Sequence, residues 1–384
     1  MIQTIVVYTL LAFSMFYFTH KSIFYRDILS KLYYWIPVLL FTFVFGIRYG
    51  VGVDYFSYKN NYESYQIGDF SYSIGENLFY LISEICHNFH LSIPVYFSIL
   101  SFIQILFIYL AFKDRKVILA YSILALFFTG IGISGFNNII RQAIAFCIFV
   151  YALTLIEKKQ LIGYCMCILL AFSFHFSAII LLPVYFLFNK GQSYFQKREI
   201  QIIILFCCYV ISWLNIGDIV SPTIKYFSMI LDYDGYFNTH YIEARSKSIF
   251  DIIIFILNLL LVYYYPKVKS YYRDRLFDII YILFWASVCL GYLLNDISIV
   301  WRILAYFSYL KFIIWGYYIL YFKKEMKYSY KNYICGSFFF CYILSFYCYS
   351  VIYRSYKSCS TYATYYQESL YEKQEKMNAD YMDW

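Results

Sequence analysis

The sequence predicts an all-α, polytopic membrane protein, and three observations carry that prediction. Apolar runs long enough to cross a bilayer recur along the 384 residues. Hydrophobic residues make up 62% of the chain and charged ones only 14%, too few to cover a soluble surface of this size. The lysines and arginines gather in short links between the apolar runs, which is a topology signal. The net charge of +8 therefore gives no reason to expect a nucleic acid partner.

The runs and links follow in order. Segment one is roughly 2–19, and no basic residue precedes it as one would in a cleaved signal peptide, so it reads as a retained helix. Its link carries Lys21, Arg26 and Lys31, and segment two, roughly 32–48, ends at Arg48. A polar loop, 49–91, holds Asp54, Glu63, Asp69, Glu76 and Glu84 against Lys59. Within it Leu78, Leu81, Ile82, Ile85 and Phe89 recur at helical period, which predicts an amphipathic interfacial helix near 76–90. Segment three, roughly 93–112, ends at Lys113-Asp114-Arg115-Lys116, and segment four, roughly 117–135, ends at the small-residue turn Gly132-Ile133-Ser134-Gly135. Segment five opens at Asn138 and closes at Glu157-Lys158-Lys159.

The next apolar run, 161–188, is interrupted by Ser173-Phe174-His175-Phe176-Ser177. It reads either as one tilted helix or as a short hairpin with its tip near His175. Basic links stand on both sides of it, at 157–160 and 189–199, and both can be cytoplasmic only if the run enters and leaves by the same face, so the hairpin is favoured. Segment seven, roughly 200–217, leads to a polar loop, 218–247, with Asp218, Asp232, Asp234, His240 and Glu243. Segments eight to eleven, roughly 249–265, 277–294, 299–322 and 333–352, alternate with links rich in lysine and arginine and with the turn Asn295-Asp296. The count is about 11–12 membrane segments in one domain, 1–352, followed by a polar, Tyr-rich tail, 353–384, expected to be partly ordered. The six basic links hold 19 of the 31 Lys and Arg, and one orientation puts them all inside, with the N-terminus, the loops 49–91 and 218–247 and the tail outside.

That orientation brings several polar residues to one depth. Arg48 and Asp54 flank Gly50 and Gly52; Arg141 opens segment five; His175 sits at the hairpin tip; Arg302 opens segment ten. Each has a bland reading. An arginine at a helix end snorkels to headgroups, a lone histidine in an apolar run is more often a helix-packing hydrogen-bonder, and Asp54 can cap a turn. Three arginines at the outer face nevertheless run against the positive-inside bias. Guanidinium forks suit a phosphate or diphosphate, so an outer-leaflet lipid-linked sugar is the expected ligand. The arginines would neutralise charge growing on the departing diphosphate, and His175 or Asp54 would take a proton from an acceptor hydroxyl. The 11 cysteines lie mostly inside apolar runs without metal-ligand spacing, so neither a metal nor another cofactor is expected. Lys311, in mid-span, could pair with Asp278 or Asp251, or reach the diphosphate.

These residues resemble a known family. Gly46-Ile47-Arg48-Tyr49-Gly50-Val51-Gly52-Val53-Asp54-Tyr55, with Tyr58, is similar to the R-x-x-x-G-x-D-Y-x-x-Y signature of the EpsG family, within the Wzy-type O-antigen and exopolysaccharide polymerases. Asn138-Ile139-Ile140-Arg141-Gln142, Phe174-His175-Phe176-Ser177-Ala178, and Arg302 with Tyr306-Phe307 resemble three further elements, in the family's order. Val53 departs from the threonine common before the aspartate, and the tail matches nothing in the family pattern. The resemblance implies a glycosyltransferase of the bacterial inner membrane that polymerises undecaprenyl-diphosphate-linked oligosaccharide repeat units at the outer, periplasmic face; with no paired-carboxylate metal motif in the sequence, the transfer is expected to be metal-independent. It would act after a flippase and beside chain-length regulators. Arg48, Arg141 and Arg302 would bind diphosphate, His175 and Asp54 would be catalytic, and Tyr55, Tyr58, Asn138 and Gln142 would support them. The alternatives are a lipid-linked oligosaccharide flippase or exporter, and a ligase-type transferase.

Overall fold

The computed structural model describes residues 2–64, 76–188, 197–214, 248–294, 298–354, 361–367, 371–372 and 374–375. The loop 218–247 and parts of the first loop and the tail lie outside them. The chain is all-α and polytopic: the structure is 83% helical, and among the described residues there is no strand and eight helices are long and apolar enough to span a membrane. A bent pair, Lys116–Phe128 with Ile131–Asn138, makes a ninth if it is taken as one span. The chain divides into two compact units, 1–185 with 312–384, and 186–311.

The first unit is built on helix pairs. Helices α1 (Ile2–Lys21) and α2 (Asp27–Gly46) run antiparallel, and α2 lies along α5 (Ile93–Ala111). Two short helices, α3 (Tyr55–Glu63) and α4 (Asn77–Asn88), stand between α2 and α5 in sequence. The small residue at Gly46 lets α2 and α5 approach, since a Cβ there would fall 1.8 Å from Ser98 Oγ. Helix α6 (Lys116–Phe128) breaks at Gly130, whose φ of +70° suits glycine, and the chain bends through a π turn, Ile131–Gly135, and α7 (Phe136–Asn138). All five residues of that turn are buried, which is where irregular backbone is tolerated at membrane depth.

Helix α8 (Ile140–Glu157) follows and is the core: 83% of its apolar window is buried, against 33% for α1 and α2. The outward stripe of α1, Ile2, Val6, Leu10, Phe13 and Tyr17, is exposed and apolar, as a lipid-facing helix requires. The run 161–188 folds back on itself. Helix α9 (Leu161–Phe172) ends at Ser173, and a 3-10 segment, Phe176–Leu181, and α10 (Val184–Leu187) return along it, with Tyr164 Oη donating to Leu181 O at 2.5 Å. A 12-residue helix reaches about 18 Å, short of a ~30 Å hydrocarbon core, so the fold-back hairpin is what these lengths permit. Farther along the chain, Gly316 meets Ser122 and Trp315 packs against Phe339 and Phe346.

One end of this unit gathers the basic links, where Arg115 pairs with Glu157 and Lys116 donates to Ser30. The other end gathers the start of α1, the end of α2, the start of α8 and the tip of the hairpin. Helix α4 lies near that end with Phe79, Ser83 and Cys86 inward and Leu81, Ile85 and Phe89 exposed, the two-faced pattern expected of an interfacial helix.

The second unit contains α11 (Arg198–Ile211), α12 (Ile249–Tyr272), α13 (Arg275–Leu294) and α14 (Ser298–Ser308). Helix α15 (Lys311–Glu325) begins where the two units divide, and α16 (Tyr330–Tyr349) belongs to the first. In the second unit Asp278 pairs with Lys269 at 2.8 Å, and Asp251 closes a capping box with Ser248. Both carboxylates offered to Lys311 by the sequence thus have local roles.

Candidate active site

The signature loop is shaped by its glycines. After α2 ends, Gly50 (φ +60°) and Gly52 (φ +107°) turn the chain back over the broken helix. A Cβ at Gly52 would lie 2.5 Å from Asn137 O, and Val53 N–H donates to Asn138 Oδ1 at 3.1 Å. The Arg48–Asp54 loop and the Asn138–Gln142 element are therefore seated on one another. Gln142 is buried on the first turn of α8, and Asp54 stands at the head of α3, one turn before Tyr58.

The ionic centre is Glu76, a residue that sequence reasoning did not select. The amides of Leu78 and Phe79 donate to Ser173 O at 3.0 and 3.3 Å, so the start of α4 is fastened to the tip of the hairpin. This places the Glu76 carboxylate between two predicted site residues. Its Oε1 lies 2.9 Å from His175 Nδ1, and its Oε2 accepts from Arg141 Nη1. The three side chains are 10%, 16% and 32% exposed respectively, which makes this a mostly sheltered ion cluster with the guanidinium partly open. Arg141 also lies over the rings of Tyr58 and Phe79, at 5.8 and 5.5 Å.

Burial pushes the Glu76 carboxyl up, but the hydrogen bond to His175 and the charge of Arg141 outweigh it, and the group is held below the usual carboxylate range. Burial likewise raises the Tyr58 phenol to about 12, with Arg141 opposing the rise and Asp54 adding to it. Tyr58 therefore stays a neutral hydroxyl beside the cation.

Arg48 lies deeper than the sequence suggested. It is 2% exposed, its Nη1 donates to Phe45 O and reaches Ser101 Oγ at 3.5 Å, and its guanidinium stacks over Phe97 at 4.8 Å. Burial lowers its pKa to about 10, against the effect of Tyr55, Tyr8, Tyr362 and Tyr58 around it. Tyr55 is fully buried on Phe97, at 4.8 Å between ring centres, and among the described residues its hydroxyl has no hydrogen-bond partner.

The tail covers this place. Arg48 and Thr364 form an antiparallel bridge in which Tyr49 N donates to Ala363 O and Tyr365 N to Ile47 O, at 2.9 and 2.7 Å. Tyr371 stacks on Tyr49 at 3.6 Å, Tyr49 Oη donates to Glu375 at 2.9 Å, and Tyr362 Oη donates to Val44 O at 2.9 Å. The sequence had left the tail without a role; its described part is a strap across the signature loop.

The structure thus joins Arg141 and His175 directly through Glu76, places Tyr58 and Asp54 beside them, and sets Arg48 and Tyr55 beneath. Arg302 belongs to the second unit, where it is exposed on α14. The clue to Glu76 in the sequence was an acid next to the amphipathic helix, at a depth where an unpaired carboxylate is costly. Its partners, at 65 and 99 residues' separation, left no local spacing to read.

A cleft of about 600 Å³ in the second unit is lined by Lys269, Arg273, Asp274 and Asp278, among others, and none of the sequence-derived site residues faces it. Comparison with curated proteins and with solved structures gave no match. The family model described as the EpsG family matches residues 31–373, nearly the whole of the chain. With its apolar spanning helices and the ordered motifs now placed, the chain belongs to the EpsG family of polysaccharide-polymerase-like membrane proteins.

Proposed function

We propose that the chain polymerises oligosaccharide repeat units carried on undecaprenyl diphosphate at the periplasmic face of the bacterial inner membrane. The observation that carries this is the Arg141–Glu76–His175 cluster, a cation and a base held side by side at the end of the bundle opposite the basic links. In the reaction, the acceptor sugar hydroxyl of a new lipid-linked unit gives its proton to His175. Its oxygen attacks the anomeric carbon of the growing chain, and the bond to the lipid diphosphate breaks. Arg141, a third exposed, meets the charge left on the diphosphate. Arg48, under its roof of tyrosines, adds positive potential from below. Asp54 acts through Tyr58, whose ring lies against the Arg141 guanidinium. Arg302 carries the same diphosphate-binding expectation from its own motif. Chain-length regulators and a flippase are the partners such a reaction calls for.

The test is to replace Arg141, His175 and Arg302 singly with alanine in the producing cell and to run the surface polysaccharide on a gel. Stable variants that leave only single repeat units support the reading. Stable Arg141 and His175 variants that still make long chains reject it. A purified protein that moves the lipid-linked unit across vesicles without lengthening it would establish transport instead.

A further inference from the structure

We propose that Glu76 is a positioning residue for the transfer: it selects the basic tautomer of His175 and holds Arg141 beside it. This inference rests on the polymerase reading above.

A carboxylate held below its usual range is ionised at neutral pH, and an ionised carboxylate has no proton to donate. The 2.9 Å contact to His175 Nδ1 must then be a donation from Nδ1–H, so in the neutral ring Nε2 carries the lone pair. The acceptor hydroxyl can deliver its proton only to that atom. When it does, the ring becomes an imidazolium, and the carboxylate already in place compensates the charge. The other carboxylate oxygen accepts from Arg141, so one side chain fixes the spacing between the base and the cation that receives the leaving diphosphate.

The arrangement is fixed from several sides. Glu76 is tied to the hairpin tip by the two amides of α4 on Ser173 O. The titratable and charged groups around it are His175 on the hairpin, Arg141 on α8, Tyr58 on α3 with Asp54 behind it, and Tyr80 on α4 itself. Glu76 is hydrogen-bonded to both His175 and Arg141. A carboxylate bound by Arg141 alone would be an ordinary helix-to-helix ion pair. The second contact, to the histidine, is what gives it a place in the chemistry.

The step balances without a further reactant. The hydroxyl proton moves to Nε2, the sugar oxygen forms the new bond to the anomeric carbon, and the electron pair of the broken bond leaves with the lipid diphosphate. The imidazolium later returns its proton to water.

The experiment uses full-length protein in membranes supplied with the host's own extracted lipid-linked repeat unit, and follows chain growth against pH for Glu76→Gln, Glu76→Asp, His175→Ala and Arg141→Ala. Glu76→Gln keeps the shape and loses the anion. It is expected to lower kcat by at least about tenfold with a smaller change in KM. It should also change the pH profile of kcat, which a merely structural ion-pair partner would leave as it is. Glu76→Asp should recover part of the rate and of the wild-type profile. If Glu76→Gln lowers only the amount of folded protein, with kcat per molecule and pH profile unchanged, Glu76 is a structural ion-pair partner and the inference is overturned. If His175→Ala and Arg141→Ala also keep full activity, the polymerase reading itself falls, an outcome distinct from the first.

Discussion

The amide of Val53 donates to the side-chain oxygen of Asn138 at 3.1 Å, joining two motifs that lie 85 residues apart. Beside it, the missing Cβ of Gly52 makes room for the carbonyl of Asn137. Asn138→Ala removes the partner of a partly buried amide and should cost about 1–3 kcal/mol. Gly52→Ala meets both a φ of +107° and a backbone atom at 2.5 Å, and should cost at least as much. Thermal unfolding of purified protein checks both, with Lys59→Ala, in an exposed pair, expected to stay within about 0.5 kcal/mol of wild type.

Arg141 should not tolerate lysine. Lysine keeps the charge but loses the planar guanidinium that pairs with Glu76 and lies over Tyr58 and Phe79. Arg141→Lys is expected to shorten the polysaccharide on a gel, and Arg141→Ala to leave single units. Because Arg141→Ala strands a mostly buried carboxylate, it should also destabilise by about 1–3 kcal/mol. The double variant with Glu76→Gln should recover part of that in a thermal double-mutant cycle.

Glu76 also predicts a pH dependence of stability. Its folded-state pKa lies below the ordinary value of 4.5, so its contribution is present above that value and is lost as pH falls through the depressed one. Wild type should unfold at a higher temperature than Glu76→Gln near neutrality, and the gap should close as the pH is lowered beneath the usual carboxylate range. Melting curves across that range check the sign.

The strap over Arg48 predicts protected amides. Tyr49 N–H and Tyr365 N–H donate across the bridge. Tyr365→Pro deletes one donor outright, and hydrogen exchange at the Tyr49 amide should then speed up by about tenfold or more. Exchange in the basic links at the far end should not change.

The fold was largely legible because bilayer thickness imposes a length and a composition on every crossing segment. The hairpin at 161–188 was readable from charge on its two flanks, and Leu161–Phe172 and Phe176–Leu187 are indeed too short to cross alone. The broken helix after Phe128 was marked only by its glycines, which do not announce a 71° bend. For the site, Arg141 and His175 were visible as costly polar residues, whereas Glu76 looked like one more acid in a polar loop. Its role depends on two partners brought close only by tertiary folding. The depth of Arg48 was hidden for the same reason, since the tail that buries it has no apolar periodicity.

The bridge between Arg48 and Thr364 also sets an order of events during biogenesis. Residues 361–375 leave the ribosome after the eight candidate spanning helices of the described residues have been made. A nascent chain halted before Thr361 would hold its spans in the bilayer with the Arg48 turn still uncovered. That turn is therefore finished only once translation has passed Glu375, and the Arg48 end of the bundle takes its final form last.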